Sequence, residues 1–342
     1  MSQLAPLRIL ISETHNPWFN LATEEWIFRE MDPRCQTLFL WRNAETVVIG
    51  RNQNPWSECN LAAMEADGIR LARRTTGGGA VFHDLGNTNF TFLSPKEGYS
   101  RARNLEIVVR TLEKFGIEAR ASGRNDLVIG SDVDPRKVSG SAFRETRDRS
   151  FHHGTLLIHA DLSRLANYLT PHPKKLESKG RASVRARVMN VAELSNSIRH
   201  DSFVSAMIES FCAEYGSSAE PEILDPTHLE ARPLLKETFD KFSSWDWRFG
   251  HAPQFHHQMT EYLSWGLIEV HADVEKGYVE KARVFSDALF PDLIADLELA
   301  LVGKSYDSRG VEGVVGELKA RHPERGPELD ELQAWLKTQV EI

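Results

Sequence analysis

Three consecutive glycines follow two arginines in the stretch RRTTGGGAVFHDLGN, residues 73–87. Glycine accepts positive φ angles and lets a ligand approach the backbone, although each glycine costs roughly 0.5–1 kcal/mol relative to alanine inside a regular element. Backbone N–H groups exposed by glycine, beside the guanidinium groups of Arg73 and Arg74, suit a phosphate or a carboxylate. The alternative is a tight turn between two strands, and the glycines alone do not decide between the two.

The common nucleotide-binding motifs do not fit this stretch. A P-loop requires Lys-Ser or Lys-Thr after its last glycine, and neither pair follows here. A dinucleotide-binding fingerprint opens a helix, whereas the residues after the glycines, AVFH, are typical of a strand. The sequence therefore predicts a glycine loop between two strands and argues against a standard ATPase or Rossmann-type site.

A second group of candidate residues lies further along the chain. Lys137 comes shortly before Ser139-Gly140-Ser141, and such small residues would let a ligand reach its ammonium group. The alternative is a solvated surface lysine. His152 and His153 are adjacent, and neighbouring side chains on a strand point to opposite faces, so the pair cannot readily chelate one metal ion. We interpret one histidine as packed and the other as a candidate ligand contact.

Short strands dominate the first part of the chain, and helices are fewer. Apolar residues at helical spacing before Gly116 predict a helix over 105–115, and further helices are predicted over 21–31, 56–67 and 201–215. Strands are predicted at 7–12, 37–41, 46–49, 69–73, 80–83, 89–93, 126–129 and 156–159. Segments 37–41 and 46–49 indicate a hairpin. Because the connections resemble hairpins rather than βαβ crossovers, we predict an α+β fold, a mixed or antiparallel sheet with flanking helices.

Composition limits the functional classes. The chain has 342 residues and a formal net charge of −8, which argues against general binding to nucleic acid or to an anionic membrane. No segment approaches the ~20 apolar residues of a membrane span, and no signal peptide is recognisable at the N-terminus. The three cysteines form no C-x-x-C pair, which is typical of a reduced, cytoplasmic protein. We predict two domains, 1–247 and 256–342.

Six separate motifs together resemble one family. They are PWFNLATEE, LWRNAETVVIGRNQNPW, RRTTGGGAVFHDLGNTNFTF, SGRNDLV, RKVSGSAFRE and FHHGTLLIHADL. Their order and spacing are similar to lipoate–protein ligase A of the bacterial two-domain type, over roughly the first 190 residues. The resemblance implies a catalytic domain related to biotin ligases and class II aminoacyl-tRNA synthetases, followed by a small α+β accessory domain.

The resemblance also implies a reaction and its participants. ATP and lipoate would give lipoyl-adenylate and pyrophosphate, with Mg²⁺ expected beside the leaving pyrophosphate. The lipoyl group would then pass to a lysine on a lipoyl domain of a 2-oxoacid dehydrogenase acyltransferase subunit or on the glycine-cleavage H protein. Carboxylate and α-phosphate are both anionic and must approach within ~3–3.5 Å. Fixed positive charge and backbone donors would offset their repulsion.

Site residues follow from the resemblance position by position. Lys137 is implied as the catalytic residue that bridges the lipoyl carboxylate and the α-phosphate. Asn125 and Asp126 are weaker candidates, for ribose or Mg²⁺ contacts. An apolar slot for the lipoyl chain could involve Trp41, Val48 and Phe82, although ordinary core positions are the stronger interpretation for at least two of them. The implied nucleotide and lipoate contacts are Arg74, Thr75, Gly78, Gly79, Ala80, Val81, Phe82, Asn125, Asp126, Lys137, Arg144 and His153.

Three alternatives stay open at this point. An octanoyltransferase of the same superfamily would carry its acyl group on a cysteine, but Ser150 occupies the corresponding neighbourhood and no cysteine lies between Cys59 and Cys212. A biotin–protein ligase usually has a glycine loop richer in arginine. A non-catalytic lipoyl-binding protein would not need Lys137 and Arg74.

The segment KKLESKGRASVRAR, residues 174–187, is basic in a chain that is acidic overall. A solvated linker is one interpretation. The other is a mobile lid, because a reactive acyl-adenylate must be shielded from water until the acceptor arrives. We predict that residues 178–186 close over the adenylate.

Overall fold

The structure, a computed structural model, describes residues 6–123, 125–169, 188–249, 257–275 and 277–340. Its strands are β1 (Leu7–Ser12), β2 (Gln36–Trp41), β3 (Thr46–Ile49), β4 (Arg70–Arg73), β5 (Val81–His83), β6 (Asn87–Pro95), β7 (Arg120–Ser122), β8 (Asp126–Ile129), β9 (Arg136–Glu145), β10 (Arg149–Leu157), β11 (Pro221–Leu224), β12 (His257–Leu263), β13 (Gly266–Glu275) and β14 (Tyr278–Ser286). Its α-helices are α1 (Pro17–Glu30), α2 (Pro55–Glu58), α3 (Leu61–Ala66), α4 (Arg101–Glu113), α5 (Leu165–Tyr168), α6 (His200–Tyr215), α7 (Pro233–Ser243), α8 (Trp245–Phe249), α9 (Pro291–Leu301), α10 (Ser308–Arg321) and α11 (Gly326–Val340). The predicted α+β class is confirmed.

A large mixed sheet organises residues 7–224 in the order β11-β1-β2-β6-β10-β9-β8-β7. β1 runs parallel to β11 and β2, whereas the pairs from β2 to β7 are antiparallel. On one face, α4 and α6 bury apolar residues such as Phe90, Phe92 and Leu127. On the other face, α1 and α7 pack with Phe39 and Leu93. The alternation of apolar side chains along each strand therefore serves two separate cores.

A smaller sheet, in the order β4-β3-β5, lies beside the second face. Its Val48 and Ala72 belong to the same apolar cluster as Trp41 of β2. The predicted hairpin between segments 37–41 and 46–49 is wrong, because β2 pairs with β1 and β6 while β3 pairs with β4 and β5. The connection between them carries the buried Asn43, which hydrogen-bonds away from the turn, to Asn20 and His83. Residues 42–45 therefore lead the chain from the large sheet to the smaller one instead of forming a hairpin turn.

Capping side chains and glycines next to the helices determine where several of them begin and end. The Asn16 side chain accepts hydrogen bonds from the first amides of α1, and Ser100 caps α4 in the same way. Gly116 after α4 and Gly216 after α6 adopt φ angles of +73° and +61°, as helix-ending glycines do. The prediction of one continuous helix over 56–67 is wrong. The segment is divided into α2 and α3, because the Asn60 side chain accepts from an amide of α3 and so begins a new helix.

The C-terminal residues build their own core. An antiparallel sheet, in the order β12-β13-β14, packs against α9, α10 and α11. This apolar cluster contains only residues from 259 to 340. Among the described helices, none has the length and apolar character to cross a membrane. The predicted lid, residues 178–186, and most of the predicted domain boundary lie outside the described residues.

Candidate functional site

A cavity of about 540 Å³ lies between the large sheet and the smaller one. The large sheet contributes residues of β2, β6, β10, β9 and β8, whereas the smaller sheet contributes Val48 and the β5 residues Val81, Phe82 and His83. The glycine loop after β4 forms part of the same wall. The two sheets thus bring together segments that lie far apart in the sequence.

Most of the sequence-predicted residues meet at this cavity. Trp41, Val48 and Phe82, the candidates for an apolar slot, line it and are also buried core residues. The other predicted residues on its lining are Arg74, Gly78, Gly79, Ala80, Val81, Asn125, Asp126, Lys137 and His153. The structure thereby gathers the glycine loop, the lysine and the histidine around one volume large enough for a small ligand.

Lys137, which lines the cavity, is held by an ion pair. Its Nζ lies 2.8 Å from Asp126 Oδ1, and its side chain is 39% exposed. Gly140 makes room for it, because a Cβ at that glycine would lie 2.9 Å from Nζ. The small residues after the lysine therefore have a steric function, and a larger side chain would displace the ammonium group.

Arg74 is buried and turned toward the backbone of the glycine loop. Four hydrogen bonds of 2.8–3.2 Å run from its guanidinium to the carbonyl oxygens of Val48, Gly77 and Gly79. Burial lowers the pKa of Arg74 to about 10, so the group stays charged at neutral pH. The loop is folded around this cation: Gly78 adopts a φ angle of +97°, and a Cβ there would lie 2.8 Å from the guanidinium.

Arg73 is buried as well, but it does not line the cavity. Its five hydrogen bonds go to the carbonyl oxygens of Gly50, Arg51, Gln53, Trp247 and Arg248. The expectation that both arginines present charge to an anion is therefore wrong for Arg73. Each of its three guanidinium nitrogens donates to at least one backbone carbonyl, so it joins the 50–53 segment to α8.

A buried polar chain crosses beneath the glycine loop. The His153 Nδ1 donates to the Glu24 carboxylate, 3.1 Å away, and its Nε2 lies 2.9 Å from the hydroxyl oxygen of Thr76. Thr91 donates to the same carboxylate and accepts from the Trp41 indole N–H. This series of hydrogen-bonded side chains links the cavity wall to the glycine loop. Sequence reasoning missed Glu24, because a helical glutamate carries no local signal that it will be buried.

His152, the neighbour of His153, points to the opposite face of the sheet. It is fully buried against the rings of Phe143, Phe92 and Phe90. Burial, followed by the charge of His153, lowers the pKa of His152 to about 3. The pair therefore combines a packed histidine with one on the cavity wall.

The C-terminal residues touch the glycine loop directly. The Gly78 amide donates to the carbonyl of Ala288 at 3.1 Å. A Cβ at Gly77 would lie only 2.1 Å from that oxygen. Nearby, Arg51 pairs with Asp292 at 2.9 Å. Glycine is therefore needed at Gly77 for contact with the C-terminal residues, and at Gly78 for contact with the Arg74 guanidinium.

Two predicted contacts do not reach the cavity. Arg144 pairs with Glu25 at 2.8 Å and lies over the Phe28 ring, so its guanidinium faces α1. Thr75 is absent from the lining, and Thr76 supplies the hydroxyl that joins the buried polar chain. The structure therefore places Arg144 and Thr75 off the cavity lining, and their contacts with nucleotide or lipoate stay predictions.

A magnesium site made by protein ligands alone does not fit the described residues. No group of three or more His, Cys, Asp or Glu side chains among them is placed to hold a metal ion. Asp126 supplies one carboxylate, which is already paired with Lys137. Because Mg²⁺ commonly keeps waters and binds through substrate phosphates, an ion here would arrive with the nucleotide.

Family models match both parts of the chain. Residues 16–212 match the lipoyl protein ligase A/B catalytic domain, and residues 252–336 match the bacterial lipoate protein ligase C-terminus. A lipoate-protein ligase A of Bdellovibrio bacteriovorus is 53% identical over 336 residues, covering 98% of this chain and 99% of that one.

Solved structures agree with these matches. P. falciparum LipL1 in complex with lipoate superimposes with a TM-score of 0.85 at 31% identity, over 97% of this chain and 99% of that chain. The bipartite lipoate protein ligase of Thermoplasma acidophilum, from a structural analysis of that ligase and its E2 lipoyl domain, gives 0.62 at 30% identity, over 74% and 99%. A lipoate-protein ligase A bound with ATP gives 0.59 at 29% identity, over 72% and 99%. The chain belongs to the lipoate-protein ligase A family.

Proposed function

We propose that this protein is an ATP-dependent lipoate–protein ligase. In the first step a lipoate carboxylate oxygen attacks the α-phosphate of ATP, and the bond to pyrophosphate breaks. In the second step an acceptor lysine amine attacks the acyl carbon, forms an amide and releases AMP. The observation that carries this proposal is that Lys137, the glycine loop and the apolar side chains of Trp41, Val48 and Phe82 line one cavity. The relatives with lipoate or ATP bound support the same assignment.

Lys137 is the group best placed for the first step. An ammonium group is a compact point charge that can serve two anions at once. The Asp126 carboxylate holds it at 2.8 Å before substrates arrive, and Gly140 leaves its tip accessible. Such fixed charge stabilises the negative charge that accumulates on the reacting phosphate.

The glycine loop provides the second source of positive potential. The N–H groups of Arg74 hold the carbonyls of Gly77 and Gly79 in place. Since C=O and N–H point in opposite directions across a trans peptide, the amide of Ala80 points away from the guanidinium. We assign this amide, on the cavity wall, to the nucleotide phosphates. Mg²⁺ would enter as the counterion of ATP.

The partners proposed for the second step are lipoyl domains of 2-oxoacid dehydrogenase complexes and the glycine-cleavage H protein. The Thermoplasma ligase, which is described together with its E2 lipoyl domain as a lipoylation system, supports a lipoyl domain as the acceptor. We propose a cytoplasmic location, with residues 1–247 as the catalytic domain and 256–342 as an accessory domain. The separate apolar cluster of residues 259–340 supports this division.

Pyrophosphate release with ATP and lipoate tests the proposal, with biotin and octanoate as competing acids. Lys137→Ala should abolish release while the circular dichroism spectrum stays unchanged. Lys137→Arg should not restore release, because a planar fork does not replace a point charge. Lys114→Ala is a matched control, since Lys114 is also 39% exposed and also lies 2.8 Å from a carboxylate, that of Glu209. Release that persists in Lys137→Ala, or that requires biotin, would refute the assignment.

The cysteine-dependent transferase is the weaker candidate. None of the three cysteines lies on the described lining of the cavity. Burial raises the pKa of Cys59 to about 12, so its thiol stays protonated and is a poor nucleophile. Ser150 is fully buried on the sheet face that carries His152. The described residues therefore offer no acyl-carrying thiol beside Lys137.

A further inference from the structure

His83 is a buried polar residue on the cavity wall that the steps above do not use. It is 3% exposed, and its ring lies edge-on to Trp41 with 6.2 Å between ring centres. Its Nδ1 lies 3.2 Å from the side-chain nitrogen of Asn43. Its Nε2, at the tip of the ring, has no hydrogen-bond partner among the described residues. A buried polar atom normally has a hydrogen-bond partner, which can be supplied by the protein, by water or by a ligand.

A relay of side-chain amides determines which nitrogen of His83 carries the proton. The Asn20 side-chain nitrogen donates to the carbonyls of Thr14 and Arg42, and its oxygen accepts from the Ser12 hydroxyl. These contacts allow only one orientation of the amide. Because the same nitrogen also faces Asn43 Oδ1 at 3.0 Å, the nitrogen of Asn43 must face His83.

The relay makes Nε2 of His83 a hydrogen-bond donor. An amide nitrogen can only donate, so Nδ1 of His83 accepts, and the proton of the neutral ring lies on Nε2. Burial, followed by the charges of Arg74 and His153, lowers the pKa of His83 to about 3. At neutral pH the group is therefore an uncharged N–H donor of fixed tautomer.

The position of His83 indicates the kind of acceptor it meets. It lies beside the apolar side chains of Trp41 and Val48 at the β2 side of the cavity. Lys137 is on β9, three strands away in the order β2-β6-β10-β9, which corresponds to roughly 14 Å at ~4.8 Å per strand. Lys137 and His83 line the same cavity, so if Lys137 holds the carboxylate, the chain of the acid can extend toward the side where His83 lies. In lipoate the far end of that chain is a cyclic disulfide, whose sulfur is a weak acceptor.

We propose that His83 is a specificity-determining residue that donates its Nε2–H to a dithiolane sulfur of lipoate. The inference rests on the proposed ligase function. An acid of the same chain length without sulfur, such as octanoate, would bury this donor without a partner, which a site built for a hydrogen bond disfavours. Asn43 acts through His83 and is a positioning residue.

Pyrophosphate release with lipoate and with octanoate tests the role of the donor. The ratio of the two kcat/KM values should fall roughly five-fold in His83→Phe, because the aromatic volume remains and the donor is lost. His83→Gln keeps a donor near the Nε2 position and should retain part of the preference. The matched control is His152→Phe, since His152 is also a buried neutral histidine but lies on the other face of the sheet. It should leave the ratio unchanged.

¹⁵N NMR of the ring nitrogens tests the relay separately. We expect protonated Nε2 and unprotonated Nδ1 in His83, and a shift of the Nε2–H signal with lipoic acid but not with octanoic acid. Asn43→Asp should move the proton to Nδ1 and lower the lipoate preference with His83 intact. Equal losses for both acids in His83→Phe, or an Nδ1–H tautomer in the wild type, would overturn the inference. A wild type that releases no pyrophosphate would refute the ligase function, while the NMR titration still tests sulfur binding.

Discussion

Replacing Arg74 with lysine distinguishes a structural cation from a ligand-binding one. The substitution keeps the charge and most of the stem but loses the planar fork of five donors. In the structure that fork reaches three carbonyl oxygens through four hydrogen bonds. A lysine ammonium is a single point and cannot span all three. We therefore expect Arg74→Lys to lose at least two of these bonds and to leave buried carbonyls unpaired.

The expected loss in the free energy of unfolding follows from the number of hydrogen bonds lost. A hydrogen bond to a charged group contributes about 1.5–3 kcal/mol, so two of them correspond to roughly 3–6 kcal/mol of the free energy of unfolding. That is a large part of the 5–15 kcal/mol typical of a folded domain. Urea unfolding followed by tryptophan fluorescence measures the change. Arg34→Lys is the control, because the Arg34 side chain is 83% exposed, and its effect should stay within about 0.5 kcal/mol.

Two results would contradict the structural role of Arg74. If Arg74→Lys unfolds within about 0.5 kcal/mol of the wild type while its affinity for ATP falls, then the guanidinium serves the ligand and not the loop. A loss of stability with unchanged nucleotide affinity would show that the loop keeps its shape without the fork. Either result would refute the view that Arg74 builds the anion site through the backbone.

Three other measurements examine separate features. His152 binds no proton in the folded protein until the pH approaches its lowered pKa of about 3, whereas the unfolded chain binds one below about pH 6.5. The free energy of unfolding should therefore fall by about 2 kcal/mol more in the wild type than in His152→Phe between pH 7 and pH 5, and equal pH dependence in urea melts would contradict this. Gly77→Ala should cost roughly 1–3 kcal/mol, because its Cβ would meet the Ala288 carbonyl at 2.1 Å; an unchanged thermal midpoint would show that the two segments separate freely. Finally, pyrophosphate release should persist when serine replaces all three cysteines, Cys35, Cys59 and Cys212, whereas a hydroxylamine-sensitive acyl-enzyme lost in that variant would favour the transferase.

The parts of the site that sequence analysis predicted are those with local signals. Consecutive glycines before a strand predict an unusual backbone, and Lys137 followed by small residues predicts an accessible ammonium. Both predictions refer to segments of about ten residues, within which spacing alone limits the geometry. The strand limits at 7–12 and 46–49 agree with the structure for the same reason.

The parts that sequence analysis missed depend on contacts between distant segments. Glu24 and His153 are 129 positions apart, and no periodicity connects them. Arg73 illustrates the same limit, since nothing in RRTT distinguishes an arginine that binds carbonyls from one that binds an anion. Asn43 lies in what seemed a hairpin turn, and only the pairing of β2 and β3 with different partners reveals it as a buried relay residue.

The reach of Arg73 has a consequence for the way the protein is made. Its guanidinium donates to the carbonyls of Trp247 and Arg248, 174 and 175 positions away, and the neighbouring loop is met by Ala288. Chains leave the ribosome with the N-terminus first and fold as they emerge. A nascent chain that ends before residue 245 lacks both the α8 carbonyls that surround this buried cation and the Ala288 carbonyl that meets the glycine loop. The glycine loop is therefore completed late in synthesis, and a truncated product lacks the finished cavity wall.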